Sequence, residues 1–120
     1  HLLIFENNME HKLSLKKTFR YEVLNNVTNP NTVLYVLHGY GHLAKYFIRK
    51  FQPLSKDLLI IAPEGMHRFY LKGNYGRVGA SWMTKEARDI DISDNINWLN
   101  ALDKKISEKY NLNLGSYRNF

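Results

Sequence analysis

The chain contains no cysteine. That excludes a disulfide scaffold, a thiolate nucleophile and cysteine-ligated zinc, and it fits a reducing, cytoplasmic setting. Long apolar runs are also missing. The longest, residues 33–37 and 58–62, fall far short of the ~20 residues a helix needs to cross a bilayer. The opening His1-Leu-Leu-Ile-Phe5 has neither the basic start nor the cleavage site of a signal peptide. Blocks of like charge are absent too. The net charge of +6 comes from 17 basic and 11 acidic residues, and the basic ones are dispersed along the chain from Lys12 to Arg118. Dispersed charge implies a solvated basic surface with weak, non-specific attraction to anions. No recognition motif accompanies it, so no specific nucleic-acid role is expected. Finally, no H-E-x-x-H occurs and no histidine follows His67. His38 and His42 are four apart, but across a glycine turn, so they read as turn histidines rather than metal ligands.

What is present suffices for one modest domain. The 120 residues are 44% hydrophobic, enough for a real core. Patterning becomes regular only after Met9. Residues 1–12 are therefore set apart as an N-terminal extension, whose source is an upstream reading frame or a frayed terminus. From Leu13 to Leu24 apolar and polar residues roughly alternate, which predicts a half-exposed strand or hairpin at a sheet edge. Asn25-Asn26 and Asn29-Pro30-Asn31 are turn signals.

The stretch that organises the chain is Thr32-Val-Leu-Tyr-Val-Leu-His-Gly-Tyr-Gly41. Its apolar run predicts a buried strand over about residues 32–37, ended by two glycines. Leu43, Tyr46, Phe47, Phe51 and Leu54 then recur at helical spacing, predicting a helix over about 43–51 that stops before Pro53. Residues 58–61 form a second continuous apolar strand. Strand, turn, helix, strand is a βαβ unit, so the fold class is α/β, with a mostly parallel sheet flanked by helices. Residues 66–81 lack period and suggest a site-forming loop. Within it Phe69 to Tyr75 read equally as pocket lining or as a packed surface loop. Asp91 and Asp94 open a helix that runs to about Lys109; their spacing predicts capping rather than a catalytic carboxylate pair. Ile92, Ile96, Leu99, Leu102 and Ile106 form its expected buried stripe, and Trp98 is expected in the core.

Two chemistries use a strand that ends in a glycine turn. Gly39-Tyr-Gly41-His-Leu-Ala44 matches the dinucleotide fingerprint G-x-G-x-x-A in its required context, with Glu64 near the place of the ribose-binding acid. His38 before the first glycine and Pro63 before the acid do not suit that fingerprint. The other chemistry is an oxyanion loop, in which a His-Gly turn offers a backbone amide to a developing negative charge.

Several motifs follow in order: Val36-Leu-His38-Gly39-Tyr40-Gly41, an amphipathic helix, Ile60-Ile-Ala-Pro63-Glu64-Gly65, Gly79-Ala-Ser81-Trp82, and Asp91-Ile-Ser-Asp94-Asn-Ile-Asn-Trp98-Leu. This succession resembles the α/β-hydrolase superfamily, in particular its small phospholipase/carboxylesterase branch, which includes the acyl-protein thioesterases. The resemblance covers residues 13–110. It implies a serine hydrolase of carboxylic esters or thioesters that needs no cofactor and no metal. It implies that the Tyr40 backbone N–H is one oxyanion donor, a contribution typically of ~3 kcal/mol in the transition state. Gly39 and Gly41 would let the loop bend, Trp82 would line the acyl pocket, and His38 would shape the loop without being the base. Ser81, a lone loop serine, is expected to be an ordinary hydrogen-bonding residue.

The family places its nucleophile in Gly-x-Ser-x-Gly, on a strand after the long helix, with the acid and the histidine later. Here Leu114-Gly115-Ser116-Tyr117-Arg118 has the wrong spacing, with Arg118 where glycine is needed. Residues 13–110 therefore read as the N-terminal half of a hydrolase domain that lacks the nucleophile strand, and 111–120 as an aberrant or truncated tail. The chain alone is expected to be catalytically silent. Without the nucleophile strand, residues 33–37 become an apolar edge prone to self-association. A dinucleotide-binding fragment and a non-catalytic interaction module are the alternatives.

Overall fold

In a computed structural model, residues 8–25 and 29–112 and the backbone of 117–119 are described. The described chain is mixed α/β. Strands β1 (Tyr21–Leu24), β2 (Val33–Tyr35), β3 (Leu59–Pro63) and β6 (Tyr117–Asn119) form one sheet in the order β1-β3-β2-β6. Strands β4 (His67–Tyr70) and β5 (Val78–Ser81) form a separate antiparallel pair. In the larger sheet β3 runs parallel to β2 and antiparallel to β1. β6 runs parallel to β2, with Val33 opposite Tyr117 and Tyr35 opposite Asn119.

β3 is the central strand, and all five of its residues are buried. Side chains alternate across a strand, and here the alternation sorts two cores. Leu59 and Ile61 join Val33 against Trp98, Leu102 and Ile106 of α2 (Arg88–Tyr110). Ile60 and Ala62 join Leu34 and Val36 against Ala44 and Ile48. The sheet is thus covered on both faces, which is why these strands read as continuous apolar runs. The Tyr35 hydroxyl also donates to Asp103 Oδ1 at 2.7 Å, tying β2 to α2.

The helix expected over 43–51 is shorter. α1 spans Ala44–Phe47, and a 3-10 helix continues over Ile48–Leu54 with Pro53 inside it. Proline has no N–H to give to the carbonyl four residues back, and its ring crowds that carbonyl. The last turns tighten accordingly.

α2 starts before Asp91, at Arg88, and no side chain caps it: its N-cap is Ala87, at φ 55°. The capping role expected for Asp91 and Asp94 is therefore corrected. Asp91 lies in the first turn, buried against His67, and Asp94 is exposed. The buried face is also rotated from the expected stripe. Asp91, Asn95, Trp98, Leu102 and Ile106 are buried, whereas Ile92 and Ile96 are 37% and 55% exposed. Two polar residues with specific partners replace two isoleucines, which a simple polar/apolar pattern cannot register. At the other end Asn111 adopts φ 56°, and the Leu112 N–H returns to Ser107 O at 2.9 Å. Asparagine tolerates this left-handed cap better than most residues.

Three further expectations change. The strand or hairpin expected over 13–24 reduces to Tyr21–Leu24, with Leu13 and Leu15 fully outside the core. The region 66–81 is not aperiodic but is the β4–β5 hairpin. The tail expected to be aberrant supplies β6, which occupies the β2 edge that was expected to lie open. The Leu114-Gly115-Ser116 stretch lies outside the described residues. Among the described residues no helix is long and apolar enough to cross a membrane.

Candidate functional site

The His38-Gly-Tyr-Gly41 turn leaves the C-terminal end of β2 and is held from three sides. His38 is buried, and both its ring nitrogens are engaged. Nδ1 lies 2.7 Å from Gly39 O, and Nε2 lies 2.9 Å from the Gly65 amide nitrogen. A carbonyl can only accept and an amide N–H can only donate. The ring therefore carries its proton on Nδ1, and Nε2 accepts. His38 shapes this loop and has no nitrogen left for proton transfer.

Trp82 holds the turn from behind. Its indole N–H donates to His38 O at 2.9 Å, and its ring stacks on His38 at 5.0 Å. On its far side it faces Trp98 at 6.4 Å, and Trp98 in turn stacks on Phe19 at 4.8 Å. Asn95 Nδ2 fixes the Trp82 carbonyl at 3.0 Å. Trp82 lines neither of the two grooves described below.

The hairpin holds the turn from the side. The Gly41 N–H donates to Ala80 O and the Ala80 N–H to His42 O, each at 2.9 Å, so a single antiparallel bridge, His42 to Ala80, ties the turn to β5. Backbones touch here. A Cβ on Gly79 would lie 2.3 Å from Gly41 O, and one on Gly65 would lie 2.6 Å from Ser81 O. Gly41 itself sits at φ +80°, a conformation that favours glycine.

The third anchor is Glu64, a buried carboxylate at the end of β3. Its Oε2 accepts from Arg20 Nε at 2.8 Å and pairs with the other end of the same guanidinium at 2.7 Å. Arg68 approaches to 3.5 Å, and Oε1 accepts the Ala44 N–H at the start of α1. Glu64 is thus consumed in joining β1, β4 and α1. Sequence reasoning offered it as a ribose ligand and quoted Glu64, Gly65, Gly79 and Asn95 within the hydrolase-like motifs without assigning their contacts, and it gave Arg20 no role. The glycine of Gly-Ala-Ser-Trp was the available signal for the Gly79 contact.

The amides of the turn are unevenly used. Gly39 N–H points to His42 Nδ1, Gly41 to Ala80 O, His42 to Gly39 O and Ala44 to Glu64. Tyr40 and Leu43 N–H have no partner among the described residues. The Tyr40 side chain is 73% exposed and its ring lies 5.0 Å from that of Phe69. Phe69 thus packs beside the turn, whereas Tyr70 and Tyr75 are exposed.

Ser81, His67 and Asp91 meet at one corner. Ser81 faces His67 across the hairpin, and His67 Nε2 lies 3.1 Å from Asp91 Oδ2. The serine hydroxyl, however, donates to Met83 O at 3.0 Å. This is not a nucleophile–base pair, and Ser81 is the hydrogen-bonding residue its sequence setting suggests. Among the described residues no cluster of His, Cys, Asp and Glu could hold a metal ion.

Two grooves are formed by described residues. One, of about 910 Å³, lies between the extended residues 12–17 and α2. The other, of about 660 Å³, lies between the turn with α1 and the far end of the hairpin. No family model, curated protein or solved structure matches the chain.

Proposed function

We propose that the His38–Gly41 turn is the oxyanion-binding element of an α/β-hydrolase-type site acting on carboxylic esters or thioesters by serine acyl transfer. The observation that carries this reading is the Tyr40 N–H, which has no partner among the described residues while the amides of Gly39 and Gly41 on either side are bonded. An oxyanion hole needs one rigid donor from such a turn, aimed at charge that appears only in the transition state. A pyrophosphate cradle instead needs several free amides and a free ribose acid. The amides of Gly39, Gly41, His42 and Ala44 are taken, and so is Glu64. The dinucleotide alternative is correspondingly disfavoured.

The sheet order supports the same reading. In the family the strand leading into the oxyanion loop is flanked by the nucleophile strand, and here β6 runs parallel beside β2. Pre-organisation supports it too, since His38, Trp82 and Ala80 hold the turn without help from a ligand. In this reading the turn provides the oxyanion donor, and Ser81, whose hydroxyl is turned to Met83 O, is not the nucleophile. On the same reading the 120-residue chain, which carries no Gly-x-Ser-x-Gly, is silent on its own.

The test is an amide-resolved NMR titration with a monoanionic alkylphosphonate ester, an unreactive mimic of the tetrahedral oxyanion. The Tyr40 amide should shift more than those of Gly39 and Gly41. A saturable response of residues 39–44 to NAD, with none to the phosphonate, would overturn the reading. So would serine-dependent turnover of p-nitrophenyl acetate blocked by a fluorophosphonate, as regards silence of the chain alone.

A further inference from the structure

We propose that the face formed by α1, the 3-10 helix after it and the hairpin binds single-stranded nucleic acid without regard to sequence. The first observation is where the charge lies. Basic residues are spread along the chain, but acidic ones are not. Residues 31–85 hold eight basic and two acidic residues, and the rest of the chain holds nine of each. The whole net charge of +6 therefore belongs to this one segment. Of its two acids, Glu64 is buried and already paired with Arg20 and Arg68. α2, which carries five acidic residues, packs on the opposite face of the sheet from α1.

The second observation is what surrounds the cations. Lys45, Arg49, Lys50, Lys72 and Arg77 are exposed, and none enters an ion pair among the described residues. Four of them lie beside an aromatic ring. Lys45 and Arg49 are 5.2 and 4.9 Å from the centre of the Tyr46 ring, Lys50 is 4.8 Å from that of Phe47, and Lys72 is 5.9 Å from that of Tyr75. Tyr46 and Tyr75 are themselves 55% and 63% exposed. A nucleotide carries a phosphate beside a flat base, so it can meet a cation and a ring that lie side by side. Stacking tolerates any sequence because every base has a π-face, and it needs no base-reading motif.

The third observation is shape. Tyr46, Phe47 and Lys50 line the groove of about 660 Å³ from one side and Leu71, Arg77 and Val78 from the hairpin, with no acidic side chain among them. Cations spread along a groove suit a chain of repeated phosphates better than a single anionic head group, and rings on its walls suit unpaired bases. A bilayer surface does not enter a groove. It takes up surfaces that bury tryptophan, phenylalanine or leucine, and the exposed aromatic residues here are all tyrosines. The inference does not rest on acyl transfer.

The test is fluorescence anisotropy of the whole chain with short labelled oligouridylate and oligothymidylate, the tighter of which names the natural class. Binding should saturate in about 50 mM salt and weaken about fiftyfold by about 200 mM, the dependence that four phosphate contacts to a single strand give. Tyr46→Ala should weaken it about fivefold or more, whereas Tyr46→Phe, which keeps the ring, should not. Lys50→Glu with Arg77→Glu should weaken it about tenfold or more and flatten the salt dependence. Lys104→Glu with Lys105→Glu makes the same change in net charge on α2 and should leave affinity within about twofold, since screening confines charge effects to near neighbours. All five positions are exposed, and urea unfolding of each variant checks that the fold persists. No saturable binding, equal losses from the two double reversals, or unchanged affinity in Tyr46→Ala would overturn the proposal. So would binding to phosphatidylserine vesicles that the oligonucleotides do not displace, which would assign this face to a lipid surface.

Discussion

Replacing His38 by alanine tests how the His38–Gly41 turn is held. The ring is 3% exposed, and its bond to the Gly65 N–H is buried. Its loss leaves the Gly65 N–H buried without an acceptor, at about 1–3 kcal/mol. The Gly39 O contact removes about 1 kcal/mol more. The stacking on Trp82 adds about 0.5–1.5 kcal/mol. The sum is about 3–5 kcal/mol, against the ~5–15 kcal/mol that holds a domain together. Urea unfolding should register it as a midpoint about 2 M lower, at a slope near 2 kcal/mol per M. Two partial replacements separate the terms. The glutamine oxygen can stand in for Nε2 towards Gly65, and the asparagine amide can stand in for Nδ1 towards Gly39. An orphaned buried donor costs more than an under-used carbonyl, so stability should rank histidine, glutamine, asparagine, alanine. Nitrogen NMR of the wild-type ring should show a protonated Nδ1 and a bare Nε2. An alanine variant within about 1 kcal/mol of wild type, or asparagine above glutamine, would refute the argument that the Gly65 contact sets the turn.

Other predictions follow from the same contacts. Gly79→Ala drives a methyl into Gly41 O; overpacking of this kind costs about 1–3 kcal/mol, and hydrogen exchange at the Gly41 amide should accelerate beyond the global change. Arg20→Ala removes the main partner of buried Glu64. Arg68 and the Ala44 N–H remain and the Arg20 side chain is half exposed, so the loss should be about 2 kcal/mol, below the ~3–5 for a fully buried pair, and largely insensitive to added salt. On α2, Trp98→Ala should cost about 3–5 kcal/mol by cavity formation, whereas Ile96→Glu should stay within about 0.5 kcal/mol. Equal costs at these two positions, measured by urea melts, would mean that α2 is rotated from the phase described.

The β2–α1–β3 unit was legible because its strands are covered on both faces, and a continuous apolar run is what such burial requires. Trp98 was legible for the same reason. The hairpin was not. β4 presents His67, Arg68 and Tyr70 to solvent, and three of the four residues of β5 are small. Neither strand has the alternation that marks a half-buried sheet. The phase of α2 failed where burial follows from a hydrogen bond: Asp91 and Asn95 are inside because His67 and the Trp82 carbonyl are there to receive them. In the site, His38 was foreseen as a loop-shaping residue, but its two bonds depend on Gly65, 27 residues away. Trp82, expected as an acyl-pocket wall, is also a clamp on the back of His38, a contact that its sequence setting did not signal.

The open edge expected at residues 33–37 gives a last prediction, because its premise has moved. β2 carries Val33 and Leu34, at 0% and 2% exposure, and has β3 on one side and β6 on the other. The free edges are now β1 and β6, four and three residues long. Short edges are one of the ways proteins avoid edge-to-edge pairing. The full chain should therefore sediment as a monomer, whatever its basic charge does with anions. Deleting residues 113–120 removes β6 and leaves β2 as the edge, with its backbone groups unpaired beside a dry apolar core. That shorter chain should show concentration-dependent association, together with a lower urea midpoint in dilute solution. If it remains monomeric with an unchanged midpoint, β6 contributes nothing to the sheet, and the argument that a parallel strand beside β2 completes this edge fails with it.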